Sequence, residues 1–530
     1  MQVQITDNKV LCKFPYNPIL INQVNKEGLG MRWNKARKFW HHDLTIPFAK
    51  AFINEFPDEA PEELHEIVKI PDVQNWESSP YLMQHQKEGA EFALTHPRHG
   101  FFWDTGTGKT IHGLEIYKQK GVKTLVVCPL SIIENAWIED AEKFCPEINI
   151  INLWDLKRKS TSRSGKMRYQ KALESCDIAV INFDRFRIMR KELQDVGFKM
   201  LIIDESSKMK NSKAKTTKEL IKFADTILFV YLFSGTPAPN SELEYYSQVR
   251  ILDQSILSSS FYAFRNRYFI QKGFGGFTWE MNPEMRQDFL NKLATVSSVI
   301  RKHDVLDLPE KTINIRQVFL SKAEMSAYRE MEKHMLLEIG DSEVLAANAA
   351  VKVMKLREGT SGFFIDEDGE VISTGISKLE ELTELLEEIG KHQVVIWTNF
   401  HHEAESICTI LQGQAETFAR ADGTINQDKK NQAIKDFKAG NVQYLIGHPA
   451  SIGHGITLTN CSYMIYFSLS YSYELQSQSQ DRIYRKGQHN ACSYYYLVVP
   501  GTIDMAIVRA LKSKKKITEE VFNYIKGRGL

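Results

Sequence analysis

Hydrophobic and polar positions change their rhythm along the chain. The opening part carries one short strand pattern, Val10-Leu11-Cys12-Lys13-Phe14, followed by a stretch from Arg32 to Leu44 in which aromatic residues interleave with cations. Proline and acidic residues from Pro57 to Glu66, and again at Pro71-Asp72, mark a linker. From about residue 80, apolar runs alternate with amphipathic stretches. The runs Thr124–Cys128, Ile178–Phe183, Met200–Asp204 and Leu228–Phe233 predict strands joined by helices. That alternation implies a parallel sheet with crossover helices. Between Glu242 and Arg301 the pattern turns helical and aromatic, with Phe261, Tyr262, Phe264, Tyr268 and Phe269 clustered, and predicts a helical protrusion. A second helix-rich segment spans Ser321 to Arg357, and Asp366-Glu367-Asp368-Gly369 is a tight turn before the strand pattern Val371-Ile372. A second α/β unit begins near Ser377, with strands predicted at Val394–Phe400, Gln443–Ile446, Tyr463–Phe467 and Tyr494–Val499.

The fold class is therefore α/β, with two parallel-sheet units behind a small N-terminal α+β module. The expected domains are 1–75, the small module; 76–305, the first unit with its protrusion at about 242–300; 306–376, a linker with a second protrusion; and 377–530, the second unit. The segment from Lys157 to Arg168 holds six cations and shows no apolar periodicity. It is expected to be a solvated mobile loop, with a phosphate-contacting loop as the sharper alternative.

Composition changes this picture little. At 530 residues, 43% hydrophobic and 25% charged, the chain is long enough for two or more cores. A net charge of +1 limits any nucleic-acid surface to a local patch. Seven cysteines are scattered without a C-x-x-C pair and read as free thiols in a reducing compartment, with no zinc site. No apolar run approaches the ~20 residues of a membrane span. A cytoplasmic protein is expected, with no membrane contact and no obvious protein partner.

The candidate chemistry begins at Asp104-Thr105-Gly106-Thr107-Gly108-Lys109-Thr110, after the apolar run Phe101-Phe102-Trp103 and before a helix pattern from Ile111 to Tyr117. Strand, glycine turn, Lys-Thr and helix form the layout of a phosphate-binding loop. Glycines let backbone N–H groups turn onto an anion, and the new helix adds the positive end of its dipole. Thr105, Gly106, Thr107, Gly108 and Lys109 would cradle the phosphates, and the Thr110 hydroxyl would hold Mg²⁺. The first glycine of the general pattern falls at Trp103, which is expected to pack beneath the loop. Asp204-Glu205 follows the strand pattern Leu201-Ile202-Ile203. Carboxylates at the C-terminal end of a parallel strand sit where such sheets bind ligands. Asp204 would hold Mg²⁺ through water, and Glu205 would deprotonate the attacking water.

Further motifs extend the pattern over roughly residues 80 to 515: Tyr81-Leu82-Met83-Gln84-His85-Gln86, Pro129-Leu130-Ser131 with Trp137 shortly after, Asp204-Glu205-Ser206-Ser207, Ser234-Gly235-Thr236-Pro237, Val299-Ile300-Arg301-Lys302, Ser451-Ile452-Gly453-His454-Gly455 and Gln478-Ser479-Gln480-Asp481-Arg482-Ile483-Tyr484-Arg485. In this order they resemble a superfamily 2 helicase-type motor of the Swi/Snf subgroup. Ser206 and Ser207 stand where the family's acidic box has alanine and histidine.

The resemblance implies two RecA-like lobes with helical protrusions, and an ATP hydrolase that uses ATP and Mg²⁺. It implies nucleotide contacts from Gln86, Gly455 and Gln478, and arginine fingers at Arg482 and Arg485, whose spacing by three would put both on one helix face. Nucleic-acid contacts are implied at Ser131, Thr398 and Asn399, with turn and cap chemistry as the alternative.

In the N-terminal module, Arg32, Trp33 and Trp40 admit either a basic hairpin with a miniature aromatic core or a nucleic-acid surface. The pattern there is faintly similar to the HARP-type module of annealing helicases, and the compact plan is similar to phage-encoded branch-migration helicases. The expected partner is duplex, forked or branched DNA, and the expected activity is branch migration, fork reversal or strand annealing. An RNA helicase, a restriction-system motor and a nucleotide-gated DNA clamp without turnover remain alternatives.

Overall fold

A computed structural model describes residues 1–25, 28–70, 76–258, 260–272, 278–337, 345–452 and 456–526. The chain divides between Arg301 and Lys302: one unit comprises Met1–Arg301 with Glu520–Leu530, the other Lys302–Glu519.

The N-terminal module is an antiparallel sheet in the order Gln2–Thr6, Lys9–Lys13, Phe39–Asp43, Arg32–Asn34. Its first hairpin closes through Asp7 and Asn8, both at positive φ, a conformation these short polar side chains tolerate. Helices Ile46–Glu55 and Glu62–Val68 cover the sheet, and Val10, Cys12, Val24, Phe48, Phe52 and Leu64 form its core. The module is docked on the rest of its unit rather than tethered. Ile46 is buried in the core of the main sheet, with Ile67 and Val68 packed against it, and the Ile46 N–H donates to the Asp225 carbonyl at 2.8 Å.

Among the described residues, the main sheet of the first unit runs Ser297–Ile300, Arg98–Trp103, Phe229–Phe233, Met200–Asp204, Thr124–Cys128, Ile178–Asn182, Ile150–Asn152, all parallel. The central strands are buried along their whole length because helices cover both faces. The second unit repeats the plan in the order Lys311–Gln317, Cys492–Val498, Tyr463–Tyr466, Val394–Trp397, Tyr444–Gly447, Phe418–Ala421, again parallel. The predicted strands are present, with ends that differ by at most three residues. The turn at Asp366 is also present: Gly369 takes φ +86° and its N–H donates to the Asp366 carbonyl.

Two expectations are corrected. The cation-rich stretch from Lys157 to Arg168 is helical, in Leu153–Lys159 and Arg163–Ser175. The Ser162 hydroxyl caps the second helix by accepting from the Gly165 N–H, and the buried anchors Leu153, Tyr169 and Leu173 lie outside the polar window. Its cations also have local partners: Lys157 pairs with Glu192, and Arg158 and Lys159 pair with Asp155. The linker read at Pro57 to Glu66 instead holds the start of helix Glu62–Val68, whose Leu64 is buried in the module core. The aromatic cluster near residue 264 is helical as expected, in Phe261–Tyr268 and beside Pro283–Val296. Tyr245, Tyr246, Phe264, Tyr268, Phe269 and Phe289 pack into the core that covers one face of the main sheet.

Candidate functional site

The strand Arg98–Trp103 delivers the chain to the phosphate loop, and the helix Lys109–Lys120 leaves it. Gly106 and Gly108 take φ +89° and +80°, which an L side chain adopts only at a cost. The loop closes on itself: Thr107 Oγ1 donates to the Asp104 carbonyl at 2.8 Å, and Lys109 Nζ donates to the carbonyls of Trp103 and Asp104 at 2.9 and 3.1 Å. The base of the loop is tied to the neighbouring strand, since Asp104 N–H donates to the Ile300 carbonyl and Arg301 lies 3.7 Å from the Asp104 carboxylate. Trp103 is fully buried beneath the loop, between Phe101, His85 and His112.

Gln86 braces the loop. Its Oε1 accepts from the Met83 N–H, and its Nε2 donates to the Gly108 carbonyl at 3.0 Å. The Gln86 amide is buried, with both of its polar atoms engaged by the protein.

Asp204 and Glu205 end the strand two places away in the sheet. Asp204 is buried. Desolvation pushes its carboxyl above the ordinary carboxylate range, against the Lys109 charge, the Trp137 indole and the Glu205 N–H, which favour the anion. Trp137 Nε1 donates to Oδ2 and the Glu205 N–H to Oδ1, each at 3.0 Å. Glu205 itself sits at φ +60°. A non-glycine residue in that region costs roughly 1–3 kcal/mol and persists where surrounding structure enforces it.

The strand between these two halves, Phe229–Phe233, runs into Ser234-Gly235-Thr236-Pro237, which touches both. Ser234 Oγ donates to Glu205 Oε1 at 3.2 Å, and Ser207 Oγ donates to the same oxygen at 3.0 Å. Gly235 lies against the phosphate loop, where a Cβ would stand 2.8 Å from Thr105 Oγ1. Ser206 donates to Gln248 Oε1 at 2.6 Å, and Gln248 Nε2 donates to the Pro237 carbonyl, so the departure from alanine at this position fastens the acidic turn to that segment.

In the second unit, helix Tyr473–Gln480 ends before both arginines. Arg482 and Arg485 therefore occupy consecutive turns, and the helical-face argument for their spacing does not apply. The turn is held firmly nonetheless. Lys302 donates to Asp481, Lys311 Nζ to Gln480 Oε1, and Gln488 Nε2 to the carbonyls of Cys461 and Ile483. Arg482 is buried, its carbonyl accepting from the Leu458 N–H, and Gln478 is buried in the preceding helix. Gly455 lies outside the described residues.

Thr398 is buried with Oγ1 3.4 Å from the Gly447 carbonyl, and Asn399 Nδ2 donates to Ser468. Both side chains thus bond to segments distant along the chain, Thr398 to the end of the adjacent strand and Asn399 to the residue after Phe467. Ser131 lies in a short turn at Leu130–Ile132, where its carbonyl accepts from Asn135 Nδ2 at 3.4 Å. In the N-terminal hairpin, Trp33 and Trp40 are directly paired across strands with ring centroids 5.4 Å apart. Trp40 packs on the module core while Trp33 is 45% exposed beside exposed Arg32, Lys35, Arg37 and Lys38. A miniature core thus describes Trp40, and a solvent-facing basic surface describes Trp33.

The roles of Trp137, Gln248 and the Asp104–Arg301 pair are not legible in the sequence, because each joins segments distant along the chain. The residues present fit a nucleoside triphosphate with Mg²⁺. Two positive-φ glycines let backbone N–H groups turn inward, Lys109 Nζ rests on neutral carbonyls that a phosphate can displace, and buried Asp204 faces the Lys109 charge.

A phosphate loop, an acid pair one strand removed and a coupling segment between them define a phosphate-loop nucleoside triphosphate hydrolase. Matching of family models makes this specific: a SNF2-related domain model covers residues 85–361 and a helicase conserved C-terminal domain model covers 377–487, and the chain belongs to the SNF2-related family. It is an ATP-dependent helicase or translocase with ATP hydrolase activity.

The chain is similar to "Putative protein p41" of Acyrthosiphon pisum secondary endosymbiont phage 1, at 25% identity over 79% of this chain and 93% of that protein. It is similar to the SWI/SNF-related matrix-associated actin-dependent regulator of chromatin subfamily A-like protein 1 of Drosophila melanogaster, at 24% identity over 83% of this chain and 56% of that protein. Among solved structures, it is similar to the Sulfolobus solfataricus SWI2/SNF2 ATPase core in complex with dsDNA, with 19% identity, a TM-score of 0.38, and coverage of 86% of this chain and 94% of that one.

Proposed function

We propose that the protein is a DNA-dependent ATPase that translocates on duplex DNA and remodels forked or branched DNA, by branch migration, fork reversal or strand annealing. The observation that carries the ATPase chemistry is the placement of Glu205 in a left-handed conformation, its carboxylate oxygen held by Ser207 and Ser234 at the end of the sheet that bears the phosphate loop. Lys109 and the N-terminal turn of its helix bind phosphate oxygens. Thr110, and Asp204 through water, would hold Mg²⁺, which would neutralise phosphate charge. Glu205 takes the proton of the attacking water. The family resemblance assigns Arg482 and Arg485 the arginine-finger role, a contribution of ~10³–10⁵ in rate in comparable hydrolases.

The DNA reading draws on two supports. The family includes proteins described as helicases and translocases, among them the "Putative ATP-dependent helicase/translocase YwqA" of Bacillus subtilis. The N-terminal hairpin exposes an aromatic ring among cations, the combination that grips backbone and stacks on bases. An ATPase panel with single-stranded, duplex, forked and four-way DNA and with RNA, at fixed salt, tests the proposal. Strongest stimulation by duplex or branched DNA is expected. Stimulation by RNA alone would replace the substrate, and turnover unchanged in Glu205→Gln would remove Glu205 as the base.

A further inference from the structure

Trp137 is buried completely, yet its one polar atom is aimed at the acid pair: Nε1 donates to Asp204 Oδ2 at 3.0 Å. The other carboxylate oxygen accepts from the Glu205 N–H at 3.0 Å. With one N–H on each oxygen, the plane of the carboxylate is fixed, and so are the directions of the lone pairs left for a metal-bound water. The indole is seated tightly. It lies over Gly113 on the helix after the phosphate loop, where a Cβ would stand 2.7 Å from the ring and 2.9 Å from Phe233.

The backbone that presents it is unusual. Ile133–Ile138 is a π-helical turn, between the short turn Leu130–Ile132 and the α-helix Glu139–Phe144. A π turn holds an extra residue and rotates the succeeding side chains by about 100° around the helix axis, and such turns concentrate at functional sites. The same segment begins at the surface, with Leu130 62% exposed beside Ser131. Ten residues, 129 to 138, therefore run from a solvent-facing turn to the carboxylate proposed to hold Mg²⁺.

We infer that Trp137 is a positioning residue for Asp204, and that the turn carrying it conveys the state of bound nucleic acid to the metal-holding carboxylate. The inference rests on the proposed nucleotide chemistry and adds a route by which DNA raises turnover. A DNA backbone bearing on Ser131 and Leu130 shifts the π turn, and the indole transmits that shift to the carboxylate.

The test compares wild type, Trp137→Phe and a variant with 3-benzothienylalanine at 137, an isosteric ring without the N–H. Three quantities are read: the Mg²⁺ concentration for half-maximal ATPase with and without duplex DNA, the ratio of DNA-stimulated to basal rate, and the affinity for a fluorescent ADP analogue in EDTA. Loss of a partner that orients a metal-holding group raises the Mg²⁺ requirement roughly tenfold. Both variants are expected to show that rise and a reduced stimulation ratio, with metal-free ADP binding unchanged. Wild-type values of Mg²⁺ requirement and stimulation in the isosteric variant would overturn the inference. So would an equal fall in metal-free binding, which would mark the indole as packing alone. Failure of the functional reading is distinguishable, because wild type itself would then show no DNA stimulation.

Discussion

The hydroxyl of Ser234 donates to Oε1 of Glu205 across 3.2 Å. Through it, the strand between the phosphate loop and the acid pair touches the proposed catalytic base. A hydrogen bond to a charged group is worth ~1.5–3 kcal/mol. If its main effect is to aim Glu205 at water, Ser234→Ala lowers kcat about tenfold or more and leaves KM near its original value. Steady-state kinetics with saturating DNA checks the split.

Gly235 makes a related prediction on binding. A methyl group there would stand 2.8 Å from Thr105 Oγ1 and 3.1 Å from the Thr105 backbone nitrogen. The loop must yield, since backbone cannot rotate away as a side-chain tip can. Forcing an extra carbon into a packed contact costs ~1–3 kcal/mol. Gly235→Ala is expected to weaken ATP binding by about tenfold, read by equilibrium titration.

The second unit depends on a buried ion pair. Lys378 and Asp504 are 1% and 3% exposed and 3.1 Å apart, with Thr360 and the Val499 N–H also donating to Asp504. Removing one partner leaves the other charge buried, at ~3–5 kcal/mol. Lys378→Met is expected to lower the urea midpoint of that unit, while Lys378→Met with Asp504→Asn recovers part of the loss.

Lys311 predicts a pH dependence. Burial is the largest influence and pushes its ammonium from 10.5 down to about 8. Between those values the unfolded chain holds a proton that the folded chain has released, so this residue's contribution to stability grows as pH rises from about 8 towards 10.5. The difference in unfolding free energy between wild type and Lys311→Met is therefore expected to shift in favour of wild type over that window. A constant difference from pH 7 to pH 10 would contradict the assignment.

The N-terminal hairpin separates charge from stacking. Arg32→Ala is expected to reduce the salt slope of duplex binding by about one unit, and Trp33→Ala to weaken binding by ~1–3 kcal/mol. Trp40→Ala instead lowers the stability of the module, because Trp40 packs on its core. Fluorescence anisotropy across a salt series, paired with thermal melts, distinguishes the three.

Much of this site is readable in the sequence because its motifs are local. The loop Asp104–Thr110 and the pair Asp204-Glu205 each complete their chemistry within a few residues, and buried parallel strands announce themselves as apolar runs. Edge strands do not. Lys311–Gln317 alternates with exposed polar residues, so its pattern suggests a linker although it forms the border of a sheet. The arginine turn misleads for a different reason. Spacing by three suits a helix, but helix Tyr473–Gln480 stops where Gln480, Asp481 and Gln488 spend their side chains on Tyr496, Lys302 and local carbonyls. Long-range partners of that kind override local propensity, and no short window of sequence contains them.

Glu205 holds φ +60°, a region that glycine and asparagine enter more easily. Fold and the proposed chemistry therefore make opposite demands on one position. A library screened for heat resistance alone would drift there toward glycine or asparagine and fill with sturdy, idle proteins. On the proposed role of Glu205 as the base, only a screen that counts turnover would keep the glutamate there.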